Sequence, residues 1–171
     1  MRRLAQAVGV TAPALYRHFE SKEQVLHEVV AEAVRSLGAY LYRALAGKSP
    51  RERLQLALDG YAEFGLDQQR LFEIVFGPPE WLGLTEIPAD IEAQGAAIGC
   101  FWNDRIRECI EAGILREGDP HEVGLTIWSH AQGLVSLFHR GRISPDGKVL
   151  DRAAFLALYR RSVERMMSGL A

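Results

Sequence analysis

Four polar side chains close together near the start of the chain could bind DNA. They are Tyr16, Arg17, His18 and Lys22. Hydroxyl, imidazole and ammonium groups hydrogen-bond backbone phosphates, and the fork of an arginine also matches the edge of guanine. We therefore expect Tyr16, His18 and Lys22 to contact phosphates and Arg17 to read a base.

The residues that precede these four favour a short helix whose tip can approach DNA closely. Gly9 supplies a tight turn, and Thr11 is a good N-cap whose hydroxyl lies where a phosphate could bind. The small side chains of Ala12, Pro13 and Ala14 would let the helix tip reach base edges. The alternative is a solvated helix with a capped neighbour, but an outward Tyr beside Arg and His is unusual there. DNA contact is the favoured interpretation.

Capping signals divide the rest of the chain into helices. Ser21 and Ser49 are each followed three residues later by Gln or Glu, which is the spacing of a capping box. Strand-like alternation with β-branched residues is absent, so the sequence predicts an all-α fold. Proline-containing loops are expected at residues 77–88 and 141–151, the second with a turn at 145–147. Helices are expected at residues 2–8, 12–18, 21–46, 50–66, 68–76, 88–113, 119–141 and 151–168.

The segment from Leu4 to Val30, LAQAVGVTAPALYRHFESKEQVLHEVV, resembles the DNA-binding signature of TetR-type transcriptional regulators. The match is nearly continuous through Ala-Val-Gly-Val-Thr, Leu-Tyr-Arg-His-Phe and Ser-Lys-Glu. The resemblance implies a helix-turn-helix head with its linking helix at residues 1–46. It implies a helical effector-binding and dimerisation domain at residues 47–171.

The same resemblance implies a function and partners. Proteins of this type bind palindromic double-stranded operator DNA as homodimers, by default as repressors, and a small effector releases them. The family residues that match Thr11 through Arg17, His18 and Lys22 face DNA.

The family pattern has a further helix before this segment, and Met1 falls just inside the second helix of that pattern. We therefore expect the first helix of the head to be missing. Leu15, Phe19 and Leu26 would then lose part of their cover, which predicts a weakened or mobile head. An alternative function follows, a ligand-binding and dimerisation module that has lost DNA binding with that helix.

Two helices near the C-terminus are predicted to form a dimer interface. Residues 119–141 and 151–168 are apolar almost all round, and such a helix needs cover on both sides. The alternative is the core of a single-chain bundle, and the family resemblance favours a four-helix interface between two chains. The segment WSHAQGL also resembles a TetR branch with Trp-x-x-x-His-Gly, although Gln132 stands where His is usual. The expected interface residues are Leu125, Gly133, Leu137, Leu158 and Met166.

Aromatic residues mark a candidate effector pocket in the body of the chain. Aromatic walls around a few polar groups, such as Asn103, His130 or Gln132, suit a mostly apolar ligand of drug size. The alternative is that the aromatic residues only fill the core. Gly95 and Gly99 interrupt a helix and predict a kink or close packing. The expected ligand-binding residues are Phe72, Phe76, Trp81, Phe101, Trp102 and Trp128.

Composition and motifs argue against other classes of protein. Residues 1–50 hold seven Lys and Arg against four Asp and Glu, whereas residues 51–171 hold thirteen Lys and Arg against eighteen Asp and Glu. A polyanion is therefore expected to bind the N-terminal part of the chain. No span of apolar residues is long enough for a membrane, no secretion signal is present, and a cytoplasmic location is expected.

Cys100 and Cys109 point to opposite faces of one helix and are expected to be buried thiols. No nucleophile elbow, phosphate loop or dinucleotide fingerprint is present, and the histidines recur nine apart on alternating faces. We expect no enzyme, no cofactor and no metal, with a small helical enzyme as the less favoured alternative.

Overall fold

The computed structural model describes residues 1–141 and 150–169, and within these ranges it contains helices and no strand. Two 3-10 turns, Tyr42–Ala46 and Pro79–Leu82, join some of the helices. This architecture confirms the predicted all-α fold, with a helical head followed by a helical body. The α-helices are α1 (Arg2–Ala7), α2 (Ala12–Tyr16), α3 (Lys22–Leu41), α4 (Pro50–Asp67), α5 (Gln69–Phe76), α6 (Ala89–Glu111), α7 (Pro120–His139) and α8 (Arg152–Gly169).

Side-chain caps set the predicted helix starts. The Ser21 hydroxyl accepts a hydrogen bond from the Gln24 N–H at 3.1 Å, and Ser49 accepts one from the Glu52 N–H at 3.2 Å. The Asp119 carboxylate caps α7 in the same way. Predicted and observed starts therefore agree within about a residue. The expected helix 21–46 is α-helical only to Leu41 and finishes as a 3-10 turn, and the predicted turn at 145–147 lies outside the described residues.

The main core lies around α4, which is surrounded by α3, α6, α7 and α8. Phe64 and Leu54 of α4 are fully buried, as are Ile127 of α7 and Phe155 of α8. The buried Tyr159 hydroxyl donates a hydrogen bond to the Leu58 carbonyl at 3.1 Å. A second, smaller cluster joins the first half of α3 to the segment around Leu84 and Ile91. Helix α3 is therefore held in the body while its first residue follows the head directly.

A charged network ties α4 to α6. The Glu108 carboxylate accepts hydrogen bonds from Arg53 Nε at 2.8 Å and from a terminal nitrogen of Arg105 at 2.7 Å. Arg53 also donates to the Gly47 carbonyl at 3.2 Å, and the Arg105 guanidinium lies over the Phe101 ring. Partial burial acts to raise the pKa of Glu108, but the two arginine hydrogen bonds and charges outweigh it and hold the pKa below its usual value. The ionised carboxylate is thus the form that the fold stabilises.

We expect Glu108→Gln to lower the free energy of unfolding by about 1–2 kcal/mol at neutral pH, because two hydrogen bonds to an ionised group are weakened. A group whose folded pKa is depressed stabilises the fold above its unfolded pKa and stops doing so as the pH falls through the folded value. The difference between parent and variant should therefore shrink below about pH 4. Urea denaturation at several pH values measures it. Glu111→Gln, on the exposed face of the same helix, is the control; a difference that stays constant with pH would contradict this account.

The two cysteines do point in different directions on α6, but only one of them is buried. Cys109 faces the core, and burial together with the Glu108 charge raises the pKa of its thiol to about 11. Cys100 is exposed, so the prediction of two buried thiols is wrong for this residue. Only one face of α6 packs inward at this level, and nine residues place Cys100 on the other face.

Candidate nucleic-acid interface and ligand cavity

The head helices α1 and α2 pack against each other across a tight turn. Ala5 is the fully buried residue of α1, and Leu15 and Phe19 are half-buried on the inward side. Gly9 has φ +73°, a left-handed conformation that glycine adopts without strain. The Val10 N–H donates to the Ala5 carbonyl at 2.9 Å and closes the turn. This is the geometry of a helix-turn-helix.

The front of α2 presents small side chains. Thr11 caps the helix by accepting a hydrogen bond from the Ala14 N–H at 3.3 Å, and Pro13 is in the first turn, where its missing N–H costs nothing. Ala12 and Ala14 are half-buried, whereas Thr11 and Pro13 are exposed. The tip of α2 is thus accessible and carries no bulky group.

The four predicted polar contacts are exposed together just after this tip. Tyr16 is 53% exposed although it is a large aromatic residue, and Arg17, His18 and Lys22 are also exposed. Within the described part of the chain, none of the four side chains makes a hydrogen bond or an ion pair. Their polar groups are therefore free to contact a partner such as a phosphate backbone.

A separate cavity of about 310 Å³ lies in the body between α3, α4, α5, α6 and α7. Its volume is at the lower end of the range of roughly 300–1,000 Å³ that is usual for small-molecule sites. Its walls are mainly aliphatic and aromatic. They consist of Val34, Leu37, Leu41, Leu58, Tyr61, Val75, Phe76, Gly95, Ile98, Gly99, Trp102, Asn103, His121, Gly124, Leu125, Trp128 and Ala131.

Most polar groups in the cavity wall already have partners. The Tyr61 hydroxyl donates to Gln132 Oε1, and the Trp102 indole N–H donates to the Gly124 carbonyl at 3.1 Å. Burial raises the pKa of Tyr61 far above its ordinary value, against a smaller lowering effect of Trp128, so the hydroxyl stays protonated. The Asn103 amide has no hydrogen-bond partner among the described residues. It is therefore the half-buried polar group that remains available to a ligand on this wall, whereas the His121 ring, which also has no hydrogen-bond partner among the described residues, is exposed.

The fold of the chain is that of several solved structures. A protein of unknown function from Rhodococcus sp. RHA1 superimposes with a TM-score of 0.81 at 22% identity, covering 99% of this chain and 84% of that one. The TetR family transcriptional regulator PfmR from Thermus thermophilus superimposes with a TM-score of 0.72 at 22% identity, covering 99% of this chain and 88% of that one. At this identity the likeness concerns the fold.

Sequence comparison shows what the N-terminal part of the chain is similar to. Residues 1–29 match the family described as "Bacterial regulatory proteins, tetR family". The HTH-type transcriptional repressor KstR2 of Mycolicibacterium smegmatis is 28% identical over 119 residues. The chain is thus similar to TetR-type regulators in the sequence of its head and in its fold. The match with KstR2 covers 68% of this chain and 57% of KstR2, so the chain spans little more than half the length of this curated relative.

The helical body brings three of the six predicted ligand-binding residues to the cavity. Phe76, Trp102 and Trp128 line it from α5, α6 and α7, and the rings of Phe76 and Trp128 lie 5.9 Å apart. Of the polar candidates, Asn103 lines the cavity. Gln132 does not line the cavity and accepts a hydrogen bond from Tyr61, which does, and the His130 ring is hydrogen-bonded to the Ser162 hydroxyl of α8 at 3.0 Å.

The other three predicted residues do not reach the cavity wall. Phe72 is buried in the core one turn before Phe76, with their rings 4.8 Å apart. Trp81 is 77% exposed on the second 3-10 turn. Phe101 packs edge-on against Tyr42 on another face of α6. Their aromatic character could not distinguish a cavity wall from core or surface packing.

Sequence reasoning missed the aliphatic part of the wall, to which α3 contributes Val34, Leu37 and Leu41. Nothing in their residue types separates them from ordinary core residues. The prediction of close packing at Gly95 and Gly99 is wrong. A Cβ at either position would have no atom of the described chain within 4 Å, and both glycines line the cavity.

The predicted interface residues lie on α7 and α8, and none of them is fully buried. Leu125 and Leu137 are 49% and 42% exposed; Gly133 and Leu137 are about one turn apart on one face of α7, and Leu125 also lines the cavity. A Cβ at Gly133 would meet nothing within 4 Å, so bare backbone is presented there. Leu158 and Met166 of α8 are half-buried. These are the residues that a second helix pair could cover.

Neither a membrane-spanning helix nor a metal site is present in the part of the chain that the structure describes. None of its helices is long and apolar enough to cross a membrane. No three His, Cys, Asp or Glu side chains in residues 1–141 and 150–169 are grouped to hold a metal ion.

Proposed function

We propose that this chain is a cytoplasmic transcriptional repressor that binds operator DNA as a homodimer and releases it when a small, mostly apolar effector fills the body cavity. The observation that carries the proposal is the exposed, unpaired group of Tyr16, Arg17, His18 and Lys22 on a helix-turn-helix. Its similarity to KstR2, which is named a transcriptional repressor, favours repression over activation.

Helix α3 gives the proposed effector a route to the head. It begins directly after the head at Lys22, and its residues Val34, Leu37 and Leu41 form part of the cavity wall. A ligand that fits the cavity better in one orientation of α3 shifts the population toward that orientation. Because α3 is a rigid helix, such a shift changes the angle and spacing of the two heads in the dimer.

Selection of duplex DNA from a random pool by the full chain tests the DNA-binding part of the proposal. We expect enrichment of a palindrome with half-sites about one helical turn apart, or a multiple of it. The affinity should fall steeply with salt, because phosphate contacts release counterions. If no sequence is enriched while the cavity still binds small molecules, the chain is a ligand-binding module without DNA binding.

The exposed apolar residues of α7 support the proposed dimer. Leu125, Gly133 and Leu137 repeat at intervals of four or eight residues, which is the ridge that lets two helices pack closely. A twofold interface would place these residues of one chain against the same surface of the other chain, so that every contact occurs twice.

We expect Leu137→Glu to raise the dissociation constant of the dimer at least about a hundredfold, because each interface would then bury two uncompensated carboxylates. Sedimentation equilibrium of the full chain measures the change. Leu45→Glu is the matched control, since Leu45 is 64% exposed at a site away from α7 and α8. An unchanged dissociation constant for Leu137→Glu would remove this face from the interface.

A further inference from the structure

We propose that the body cavity binds an uncharged, elongated molecule whose single hydrogen-bonding group is held by Asn103 and whose apolar length lies along Gly95 and Gly99. This inference rests on the proposed function only in taking the cavity as the effector site. It adds the chemical class of the ligand and the residues that select it.

The charge of the wall favours a neutral ligand. No Lys, Arg, Asp or Glu is among the residues that line the cavity, and the one side chain there that can carry a charge is His121, which is exposed. Taking a carboxylate or ammonium group from water into such a wall leaves it without a partner. Charged molecules of the same length are therefore disfavoured.

Asn103 is the group that can recognise a polar end. Its amide is half-buried in the wall and carries both donors and acceptors, yet none of them has a partner among the described residues. The neighbouring polar groups of Tyr61 and Trp102 are already paired with Gln132 and the Gly124 carbonyl. A ligand hydroxyl or carbonyl at Asn103 would therefore gain a hydrogen bond that Tyr61 and Trp102 do not offer, at a position less exposed than that of His121.

The position of Asn103 on α6 determines where the apolar part of the ligand would lie. Gly95, Gly99 and Asn103 follow one another at intervals of four residues, so they lie on one face of the helix, and all three line the cavity. Eight residues of α-helix rise about 12 Å. The two glycines leave open space where side chains would otherwise project. The result is a shallow track along α6 with its polar end at Asn103.

Two probes of equal length test the charge preference, decanol and its carboxylate counterpart decanoate. Trp102 and Trp128 line the cavity, so their fluorescence reports binding, and the exposed Trp81 is first replaced by phenylalanine to remove its background. We expect saturable binding of decanol to the full chain, with decanoate at least about tenfold weaker, because the ion would lack a counter-charge. Calorimetric titration provides an independent measurement.

Asn103→Leu tests the polar anchor. We expect it to weaken decanol about five- to tenfold, which corresponds to one hydrogen bond. It should leave the binding of chlorodecane, which has no hydroxyl, unchanged or stronger. A general disturbance of the cavity would weaken both probes equally, so the ratio of the two affinities identifies the hydrogen bond.

Gly99→Leu tests the track, because the new side chain would occupy the open space. We expect loss of decanol binding with the unfolding temperature retained. Ala97→Leu is the control, since Ala97 is exposed on the same helix and does not line the cavity.

The proposal is overturned if decanoate binds as tightly as decanol, if neither probe binds, or if Gly99→Leu leaves the affinity unchanged. Failure of the proposed function looks different. Decanol would then bind as described, but the full chain would show no sequence-selective DNA binding, or decanol would leave its DNA complex intact. If the chain binds operator DNA but neither probe, the DNA-binding proposal stands and the proposed ligand class is wrong.

Discussion

Replacing Tyr16 and Arg17 together by alanine should weaken the binding of selected operator DNA by at least about a thousandfold at fixed salt, since one bidentate base contact is worth about 1–3 kcal/mol and each loss occurs in both subunits. Both side chains are exposed and make no hydrogen bond or ion pair among the described residues. The unfolding temperature should therefore stay within a degree or so of the parent, as surface substitutions usually do. Fluorescence anisotropy of a labelled operator duplex measures the loss.

Single substitutions separate the roles of the two basic residues. Arg17→Ala should relax the sequence preference at one position of each half-site, because a base contact is lost. Lys22→Ala should weaken all duplexes alike and reduce the salt dependence by about one counterion per subunit, because a phosphate contact is lost. If instead Arg17 contacts a phosphate and Lys22 reads a base, Arg17→Ala would reduce the salt dependence and Lys22→Ala would relax the sequence preference.

Arg70→Ala is the matched control for this series. Arg70 is exposed on α5, remote in sequence from the head, and no hydrogen bond or ion pair of its side chain is found among the described residues. Its loss removes one positive charge without touching the proposed interface, so the DNA affinity should change less than about threefold. If Arg70→Ala and Arg17→Ala weaken DNA equally, the head residues act only through net charge, and the proposed contacts are wrong.

The helices and the head could be predicted because their signals are local. A serine with Gln or Glu three residues later fixes a helix start within one turn, and Gly9 with Thr11 fixes the turn and the start of α2. Exposure of Tyr16 and Arg17 follows from the same local register, since Leu15 and Phe19 must face inward. No long-range contact is needed to place these residues.

The cavity could be predicted only in part, because it depends on how five helices come together. Phe72 and Phe76 lie on one face of the same short helix, yet one is buried in the core and the other lines the cavity. Gly95 and Gly60 are both helical glycines in the sequence, but one opens on empty space and the other touches a neighbouring backbone. An aromatic residue or a glycine can lie in the core, at the cavity wall or on the surface. The relative placement of the helices decides which of these positions it takes.

Gly60→Ala is the substitution for which we expect the largest loss of stability, about 2–3 kcal/mol, because inserting a methyl group into a close-packed contact forces the backbone apart. At Gly60 a Cβ would lie 2.5 Å from the Tyr40 carbonyl oxygen and 3.0 Å from the Tyr40 carbonyl carbon. Both atoms belong to the backbone of α3, so no side-chain rotation can relieve the overlap. This crossing holds α3 against α4 close to Leu41, which is part of the cavity wall.

Gly99→Ala is the matched control for this effect, since it makes the same chemical change in a helix whose glycine faces open space. There we expect a gain of about 0.5–1 kcal/mol, because alanine is the better helix former. For a chain of this size the two variants should shift the unfolding temperature in opposite directions, by about 2–4 °C per kcal/mol, in calorimetry of the full chain. If Gly60→Ala proves as stable as the parent, the backbones of α3 and α4 are not in contact at this point. The proposed coupling, in which a ligand in the cavity reorients the head through α3, would then lack this support.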